Sequence, residues 1–238
     1  HGPDLTRDLL GKHHEDAGRP VDGDPLRDER ADLASLVVVS VIEARRKNIG
    51  ADHDTALYFL DTLAAVKPGD HVAINGASGS VGTAMIEIAT LRGATVTAIC
   101  SGPNEALVRG LGADHVVDYT TTTLAETGER YDIIADCVGN LSWDEARPLL
   151  TDQGCHLMVV SGLWAMIKAG FVSKKDGKRC LSGTANTTSE DLRVLMDLLA
   201  QGEISAVVDS TLPLSAIAQA HARVDSERKT GAVVIAMA

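Results

Sequence analysis

The residues with the clearest chemical potential form a glycine-rich segment, GASGSVG, at residues 76–82. It follows the apolar run HVAIN and precedes residues whose apolar positions recur at helical spacing. In such a strand–loop–helix unit the early positions make a tight turn, Gly79 lets the backbone approach a pyrophosphate, and Gly82 lets the helix pack closely on the strand. The helix N-terminus adds unpaired N–H groups for phosphate oxygens. The segment therefore predicts a dinucleotide site, with a purely structural glycine-rich turn as the alternative, at Gly76, Ala77, Ser78, Gly79, Ser80, Val81 and Gly82.

The end of a later apolar run, TVTAIC, bears on which dinucleotide would bind. About 20 residues after the glycines, NAD-binding domains carry an acidic residue that binds the ribose 2′-hydroxyl. Here the chain has Cys100, Ser101, Gly102 and Pro103, without Asp or Glu. The small side chain of Ser101 leaves room for a 2′-phosphate. The sequence therefore favours NADP(H), although no Lys or Arg follows Ser101 directly.

Other nucleotide-binding motifs do not fit the chain. A P-loop needs Lys after its second glycine, whereas Gly82 is followed by Thr83. A methyltransferase would normally carry the acidic residue that is missing near Ser101. The short-chain dehydrogenases need Tyr-x-x-x-Lys, but the residues four positions after the three tyrosines are Thr62, Thr123 and Ala135.

Several isolated polar residues fall where a crevice could form. Cys137 is a candidate thiol, but a small buried strand residue is the commoner role. His156 and His221 could donate protons, yet neither has a carboxylate at useful spacing, which favours a core or surface histidine. Asn75 ends the first predicted strand and Asn140 follows DCVG; both could hydrogen-bond a substrate carbonyl or the carboxamide of the nicotinamide, although both also suit turns. The sequence therefore names no general acid.

The cysteines bear on metals and on disulfides. They show no CxxC spacing and are scattered at Cys100, Cys137, Cys155 and Cys180. This pattern predicts reduced thiols and neither a disulfide framework nor a zinc site. No metal is therefore predicted as a cofactor.

Alternating strands and helices must position these residues. Helical spacing begins near Ser80, Pro103 begins a second helix, and a later helix ends before Gly202. Apolar runs typical of buried strands occur at residues 71–75, 95–100, 115–119, 131–138 and 155–160. Repeated β-α-β alternation requires parallel strands joined by right-handed crossovers. The predicted fold is α/β, a doubly wound parallel sheet of the Rossmann type with a short, irregular N-terminal remnant.

Composition and charge exclude other function classes. The chain has 22 Lys+Arg against 33 Asp+Glu, and its net charge of −11 repels phosphate backbones, so no nucleic acid partner is expected. No apolar run reaches the roughly 18 residues that cross a bilayer. Residues 1–30 also carry no cleavable apolar core. These features predict a cytoplasmic chain without a membrane partner, and residues 1–33 predict a polar, poorly ordered arm.

Several stretches in series resemble the medium-chain dehydrogenase/reductase superfamily, specifically its zinc-free quinone oxidoreductase branch. They are VKPGDHVAINGASGSVGTAMIEIA, GATVTAICSGPNEALVRGLGADHVVDY, YDIIADCVGN and the C-terminal GEISAVVDSTLPLSAIAQAHARVDSERKTGAVVIAMA. The resemblance covers residues 55–238 and implies an NADPH-binding domain that transfers hydride to an activated C=C bond or a quinone. By position, it implies that Ser101 holds the 2′-phosphate and that Tyr119 lies near the adenosine. The residues that it places beside the nicotinamide are Val138, Gly139, Ser161 and Gly162.

The sequence departs from this family in two places. Pro103 stands where members often carry Lys or Arg. Only residues 34–54 resemble the end of the β-barrel-like catalytic domain that normally precedes the nucleotide domain, so most of that domain is missing. Because hydride transfer needs a covered nicotinamide, we expect a partner subunit, a second copy or the rearranged N-terminal arm to supply the missing wall. Residues 163–179 could serve as a lid, an ordinary helix-and-loop crossover being the alternative for that segment. Two other functions stay open: a non-redox enzyme such as a cyclase or dehydratase, and a non-catalytic nucleotide-binding subunit.

Overall fold

A computed structural model of the chain describes residues 49–160, 177–185, 188–226 and 228–236. The predicted arm at residues 1–33 and most of the predicted remnant at residues 34–54 lie outside this part of the chain. Most of the candidate lid lies outside it too, as do Ser161 and Gly162.

The described elements alternate as the sequence predicts. The strands are β1 (His71–Asn75), β2 (Thr95–Cys100), β3 (His115–Asp118), β4 (Tyr131–Asp136), β5 (Leu150–Met158), β6 (Arg179–Ser182), β7 (Val208–Pro213) and β8 (Ala232–Ala236). The α-helices are α1 (Ile49–Leu57), α2 (Ser80–Leu91), α3 (Glu105–Gly110), α4 (Trp143–Ala146), α5 (Ser189–Gln201) and α6 (Ile217–Asp225). A π-helix, Tyr58–Ala64, continues α1 and ends where Ala65 takes a left-handed conformation with φ of 57°.

Six of the strands form one parallel sheet in the order β3-β2-β1-β4-β5-β6. The order in which the chain adds strands reverses between β1 and β4: β2 and β3 lie on one side of β1, and β4, β5 and β6 lie on the other. In open sheets of this kind the crevice outside the carboxyl ends of the two central strands is where ligands bind. The predicted α/β fold of the Rossmann type is therefore confirmed, and the glycine-rich segment directly follows β1.

Apolar side chains cover the sheet on both faces. Val72 and Ile74 of β1 belong to a core cluster built with α1 and α2, while Ala73 between them belongs to a second cluster with Leu124 and Leu150. Because successive side chains of a strand point to opposite faces, such a strand needs apolar residues at every position. This explains why the sequence shows continuous apolar runs instead of an alternating pattern.

The last two described strands form a small sheet of their own. β7 and β8 pair in parallel around α6, apart from the six-stranded sheet. The segment before β8 contacts the glycine-rich loop: Gly231 N–H donates to the carbonyl oxygen of Ser78 over 2.9 Å, and Gly231 forms a parallel bridge with Gly79. The C-terminal segment is therefore placed directly against the predicted dinucleotide site.

The bounds of three strands differ from the sequence-based expectation. The run at residues 115–119 ends as a strand one residue earlier, at Asp118. The run at residues 131–138 ends as a strand at Asp136, because that side chain accepts the N–H groups of Val138 and Gly139 and turns the chain. The run at residues 155–160 belongs to a strand that begins earlier, at Leu150, and ends at Met158. The residues that follow Leu150 in this strand, TDQG, are too polar to predict a buried strand.

No helix in the described ranges combines the length and the apolar character that crossing a membrane requires.

Candidate functional site

The glycine-rich loop depends on glycine at two positions for steric reasons. Gly76 has φ of +78°, and a Cβ there would lie 2.6 Å from Cγ2 of Val138. A Cβ on Gly82 would lie 2.2 Å from the carbonyl oxygen of Gly76 and 2.8 Å from Cα of Ala77. The loop therefore packs directly on the first turn of α2. Side chains are excluded at Gly76 and Gly82, where the backbone of the loop would approach a ligand.

The N-terminus of α2 faces the crevice without a side-chain cap. Gly79 is the N-cap residue, with φ of −76° and ψ of 172°, and it has no side chain that could accept from the first helical N–H groups. These groups have no partner within the helix and carry the positive end of the helix dipole. The first turn, which contains Ser80, Val81 and Gly82, therefore offers N–H donors to an anion.

A polar cluster joins this loop to the end of β2. Asn104 donates from Nδ2 to Oγ of Ser78 over 3.0 Å and to Oγ of Ser101 over 3.2 Å. Sequence analysis singled out both serines but not Asn104, whose signal was its position one residue after the helix-starting Pro103. The cluster presents two hydroxyl groups at the end of β2, where a ribose of a dinucleotide lies in this fold.

An acidic residue reaches the same place from the neighbouring strand. Asp118 ends β3, and its Oδ2 would lie 2.6 Å from a Cβ on Gly102. Hydrogen bonds from the side chain and backbone N–H of Thr120, and from the backbone of Gly102, lower the pKa of Asp118. The sequence shows no acidic residue next to Ser101, but in the folded chain β3 places the carboxylate of Asp118 beside Gly102. The expectation that no acidic residue is available near Ser101 is therefore wrong.

A lysine that sequence analysis missed lies at the N-terminus of α2. Lys229 donates from Nζ to Oγ of Ser80 over 3.2 Å and to the carbonyl oxygen of Gly231 over 2.9 Å. Asp52 of α1 interacts with both Lys229 and Ser80; burial raises the pKa of Asp52, and the charge of Lys229 opposes that rise. A cation is thus held beside the uncapped helix end, where it adds to the attraction for a phosphate.

Asparagine side chains meet where the strand order reverses. Asn75, the last residue of β1, donates from Nδ2 to Oδ1 of Asp136 over 2.9 Å and to Oδ1 of Asn140 over 2.7 Å. Asp136 is the last residue of β4 and is 2% exposed. The structure therefore brings together both candidate asparagines of the sequence analysis. It also shows that the buried carboxylate of Asp136 accepts a hydrogen bond from Asn75.

Exposed apolar side chains lie just after the carboxyl ends of three strands of the sheet. Tyr119 after β3 is 63% exposed, Val138 after β4 is 48% exposed, and Val160 after β5 is 53% exposed. Flat apolar groups such as nucleotide bases bind to surfaces of this kind. Tyr119 follows β3, and Val138 and Gly139 follow β4, at the carboxyl ends of the strands. Ser161 and Gly162 fall outside the described residues.

The other candidate residues are a buried thiol and two histidines. Cys137 contacts Sδ of Met85 at 3.6 Å, and burial raises the pKa of its thiol. His156 is completely buried on β5 and stacks on Trp143, and His221 lies exposed on α6. In the described ranges the cysteines are unpaired, and no group of three His, Cys, Asp or Glu side chains suits a metal ion.

Comparison with known proteins identifies the family. A family model described as zinc-binding dehydrogenase matches residues 111–235, more than half of the chain. The chain belongs to this family. It is a member of the medium-chain dehydrogenase/reductase superfamily, as its motifs predict.

Curated relatives include reductases of two kinds. A chloroplastic quinone-oxidoreductase QR1 of Triphysaria versicolor is 31% identical over 173 residues, which cover 71% of this chain and 53% of the relative. A trans-enoyl reductase, poxH, of Penicillium oxalicum is 29% identical over 228 residues, which cover 83% of this chain and 57% of the relative. The chain thus spans about half the length of these members of the family.

A solved structure supports the same assignment of the fold. The quinone oxidoreductase from Coxiella burnetii aligns with a TM-score of 0.69 and 25% sequence identity. The alignment covers 76% of this chain and 57% of that structure. The family member described here therefore matches a little over half of a larger protein.

Proposed function

We propose that this chain binds NADPH and supports hydride transfer to a small molecule with an activated C=C bond, such as an enone or enoyl group, or to a quinone. The observation that carries the proposal is the glycine-rich loop, which enters an uncapped helix at the reversal between β1 and β4. The quinone oxidoreductases and the trans-enoyl reductase among its relatives support this substrate class.

The residues present fit a dinucleotide. The positions where a Cβ would collide, Gly76 and Gly82, leave backbone at the floor of the crevice, and the first turn of α2 offers N–H donors above it. Lys229 holds a positive charge beside Ser80. When bound, the dihydronicotinamide supplies the hydride. The chain's own residues bind the pyrophosphate and offer the exposed apolar side chains of Tyr119, Val138 and Val160 to the rings of the dinucleotide.

The preference for NADPH has support from the end of β2. Ser78 and Ser101 present hydroxyl groups there, and Asn104 holds both in place. Hydroxyl and amide groups can hydrogen-bond a 2′-phosphate. In this proposal Ser101 contacts the 2′-phosphate, and Val138 and Gly139 border the nicotinamide with Ser161 and Gly162.

One observation favours a second candidate, NAD(H). The carboxylate of Asp118 stands beside Gly102, and its lowered pKa keeps it charged at neutral pH. A charged carboxylate repels a 2′-phosphate but accepts a hydrogen bond from a 2′-hydroxyl. The two cofactors therefore belong in the same experiment.

Titration of the purified protein with NADPH and with NADH, followed by cofactor fluorescence, tests the proposal. We expect NADPH to bind more tightly than NADH. Tighter binding of NADH would assign the NAD(H) role, and no binding of either at millimolar concentration would overturn the proposal. Oxidation of the bound cofactor by an enone or a quinone then tests transfer; turnover without any nicotinamide cofactor would point to non-redox chemistry.

We also propose that the chain acts with a second copy or a partner subunit. Large apolar side chains stand exposed around α6, at Leu214, Ile217 and Val224. Exposed apolar surface of this kind favours association. Light scattering across a range of concentrations tests the proposal, and a monodisperse monomer throughout would contradict self-association.

A further inference from the structure

A relay of hydrogen bonds at the centre of the crevice begins at Asp136. This side chain is buried, and its carboxylate oxygens accept backbone N–H groups from the turn that follows β4, those of Val138, Gly139 and Leu141. Because these oxygens accept and do not donate, the atom that Asn75 turns toward Oδ1 of Asp136 must be its amide nitrogen. The carboxylate therefore fixes the orientation of the Asn75 amide.

The orientation of the Asn75 amide in turn fixes that of the Asn140 amide. The same Nδ2 of Asn75 lies 2.7 Å from Oδ1 of Asn140, so its two hydrogens are both used. With its oxygen facing Asn75, the amide of Asn140 must direct its nitrogen the other way. Asn140 is exposed, and Nδ2 of Asn140 has no hydrogen-bond partner among the described residues. A donor with a fixed direction is thus left free at the crevice.

The position of this donor indicates its ligand. Asn75 ends β1 directly before the glycine-rich loop, and Asn140 lies on the turn after β4, so both flank the reversal of strand order. A dinucleotide bound across the sheet passes this point with its ribose–phosphate backbone, whose hydroxyl and phosphate oxygens accept hydrogen bonds. We infer that Asn140 donates from Nδ2 to the ribose–phosphate backbone of the dinucleotide, and that Asn75 and Asp136 position it.

This inference rests on the proposed function, and the Asn140→Asp variant tests it with little change of shape. The new carboxylate keeps an acceptor for Asn75 and replaces the donor with an oxygen. We expect the Kd for NADPH, measured by cofactor fluorescence, to rise about tenfold or more, since a hydrogen bond is lost and an acceptor meets an acceptor. Gln153→Glu makes the same chemical change, from amide to carboxylate, at an exposed position in the amino-terminal half of β5. This control should leave the Kd unchanged.

Asn75→Ala tests the positioning role. It should raise the Kd less than Asn140→Asp does, and adding it to Asn140→Asp should change the Kd no further, because Asn75 acts through Asn140. An additive loss in the double variant would overturn the relay. Thermal unfolding of each variant checks that the fold is intact, and the Asn140→Asp result does not depend on the Asn75 variant.

A ligand without nicotinamide locates the acceptor. The 2′-phosphate form of ADP-ribose keeps the ribose–phosphate backbone, so Asn140→Asp should weaken its binding by the same factor as that of NADPH. Unchanged binding of this ligand would place the acceptor on the nicotinamide and overturn the assignment. If the unmodified protein binds no dinucleotide, the proposed function fails; if it binds and Asn140→Asp has no effect, only this inference fails.

Discussion

Nζ of Lys229 lies 3.2 Å from Oγ of Ser80, although 149 positions separate the two residues in the chain. Ser80 begins α2, whose first turn offers its N–H groups to the crevice. The cation beside that turn therefore comes from the C-terminal segment, not from the loop that the motif defines.

Replacing this cation should weaken binding of the dinucleotide. In Lys229→Met the Kd for NADPH is expected to rise about tenfold, as for the loss of a hydrogen bond to a charged group. The dependence of the Kd on salt should also become shallower, because one charge attracting the phosphates is gone. Arg228→Met removes the same charge from the exposed neighbouring residue. An equal effect in this control would show that only net charge matters.

Gly82 should tolerate no side chain. In Gly82→Ala the new Cβ would lie 2.2 Å from the carbonyl oxygen of Gly76, so the loop and α2 must move apart. We expect a loss of about 1–3 kcal/mol in the free energy of unfolding, typical of overpacking, together with loss of dinucleotide binding. Urea denaturation and cofactor fluorescence measure the two effects.

Gly110→Ala is the matched control for that variant. Gly110 ends α3, and a Cβ there would meet nothing within 4 Å. The substitution should leave binding unchanged and stabilise the protein by about 0.5 kcal/mol, because alanine loses less entropy on folding. Equal destabilisation by both variants would contradict the steric argument.

His156 should make the protein less stable in mild acid. It is completely buried, neither ring nitrogen has a hydrogen-bond partner in the described part of the chain, and burial lowers its pKa from 6.5, with Asp136 opposing. The unfolded chain then binds the proton more readily, so this contribution to stability is complete above about pH 6.5 and falls as the pH drops.

The variant His156→Leu separates this effect from other titrations. Its free energy of unfolding, measured by urea denaturation at each pH, should fall less between pH 7 and pH 5 than that of the unmodified protein. Identical slopes for the two proteins would show that His156 is not the group responsible.

Asp209 should hold the small sheet together. Its side chain is largely buried. The carboxylate accepts hydrogen bonds from Nε and a terminal nitrogen of Arg223 and from the backbone and hydroxyl of Thr230. The contacts with Arg223 and with the backbone of Thr230 lower the pKa of Asp209. It thus joins β7, α6 and the segment before β8.

Asp209→Asn should lower the free energy of unfolding by about 1–2 kcal/mol, because it weakens hydrogen bonds to a charged group whose partner, Arg223, is 40% exposed and screened by water. Urea denaturation measures this loss. NADPH binding should weaken as well, because Lys229 and Gly231 adjoin Thr230 and lose their fixed position. Arg223→Lys keeps the charge and should be milder in both respects. Loss of stability with unchanged NADPH affinity would separate the small sheet from the dinucleotide site.

Local pattern was enough to predict the strand–loop–helix unit and the fold around it. The run HVAIN, the spacing of glycines and the apolar face of α2 lie within 21 consecutive residues, His71 to Leu91, and each feature restricts the backbone directly. Gly202, which takes a left-handed conformation with φ of 75°, marks the end of α5 for the same reason.

The rest of the site depends on contacts that no local pattern records. Asp118 reaches Gly102 because β3 lies beside β2, and Lys229 reaches Ser80 because Gly231 pairs with Gly79. Asn75 and Asn140 could each be named from the sequence, but their hydrogen bond depends on the pairing of β1 with β4. Hydrophobic periodicity predicts which residues form strands and helices. It does not predict which strands lie side by side in the sheet, and these contacts depend on that pairing.

The pairing of Gly79 with Gly231 has a consequence for the order in which the site is completed during synthesis. A ribosome makes the segment from Lys229 to Ala232 roughly 150 residues after the glycine-rich loop, which takes about 8–30 s at ordinary rates of elongation. For that interval the sheet around β1 can form while the loop lacks its lysine and its bridging strand. A nascent chain stalled before Lys229 would thus bind cofactor more weakly than the released protein.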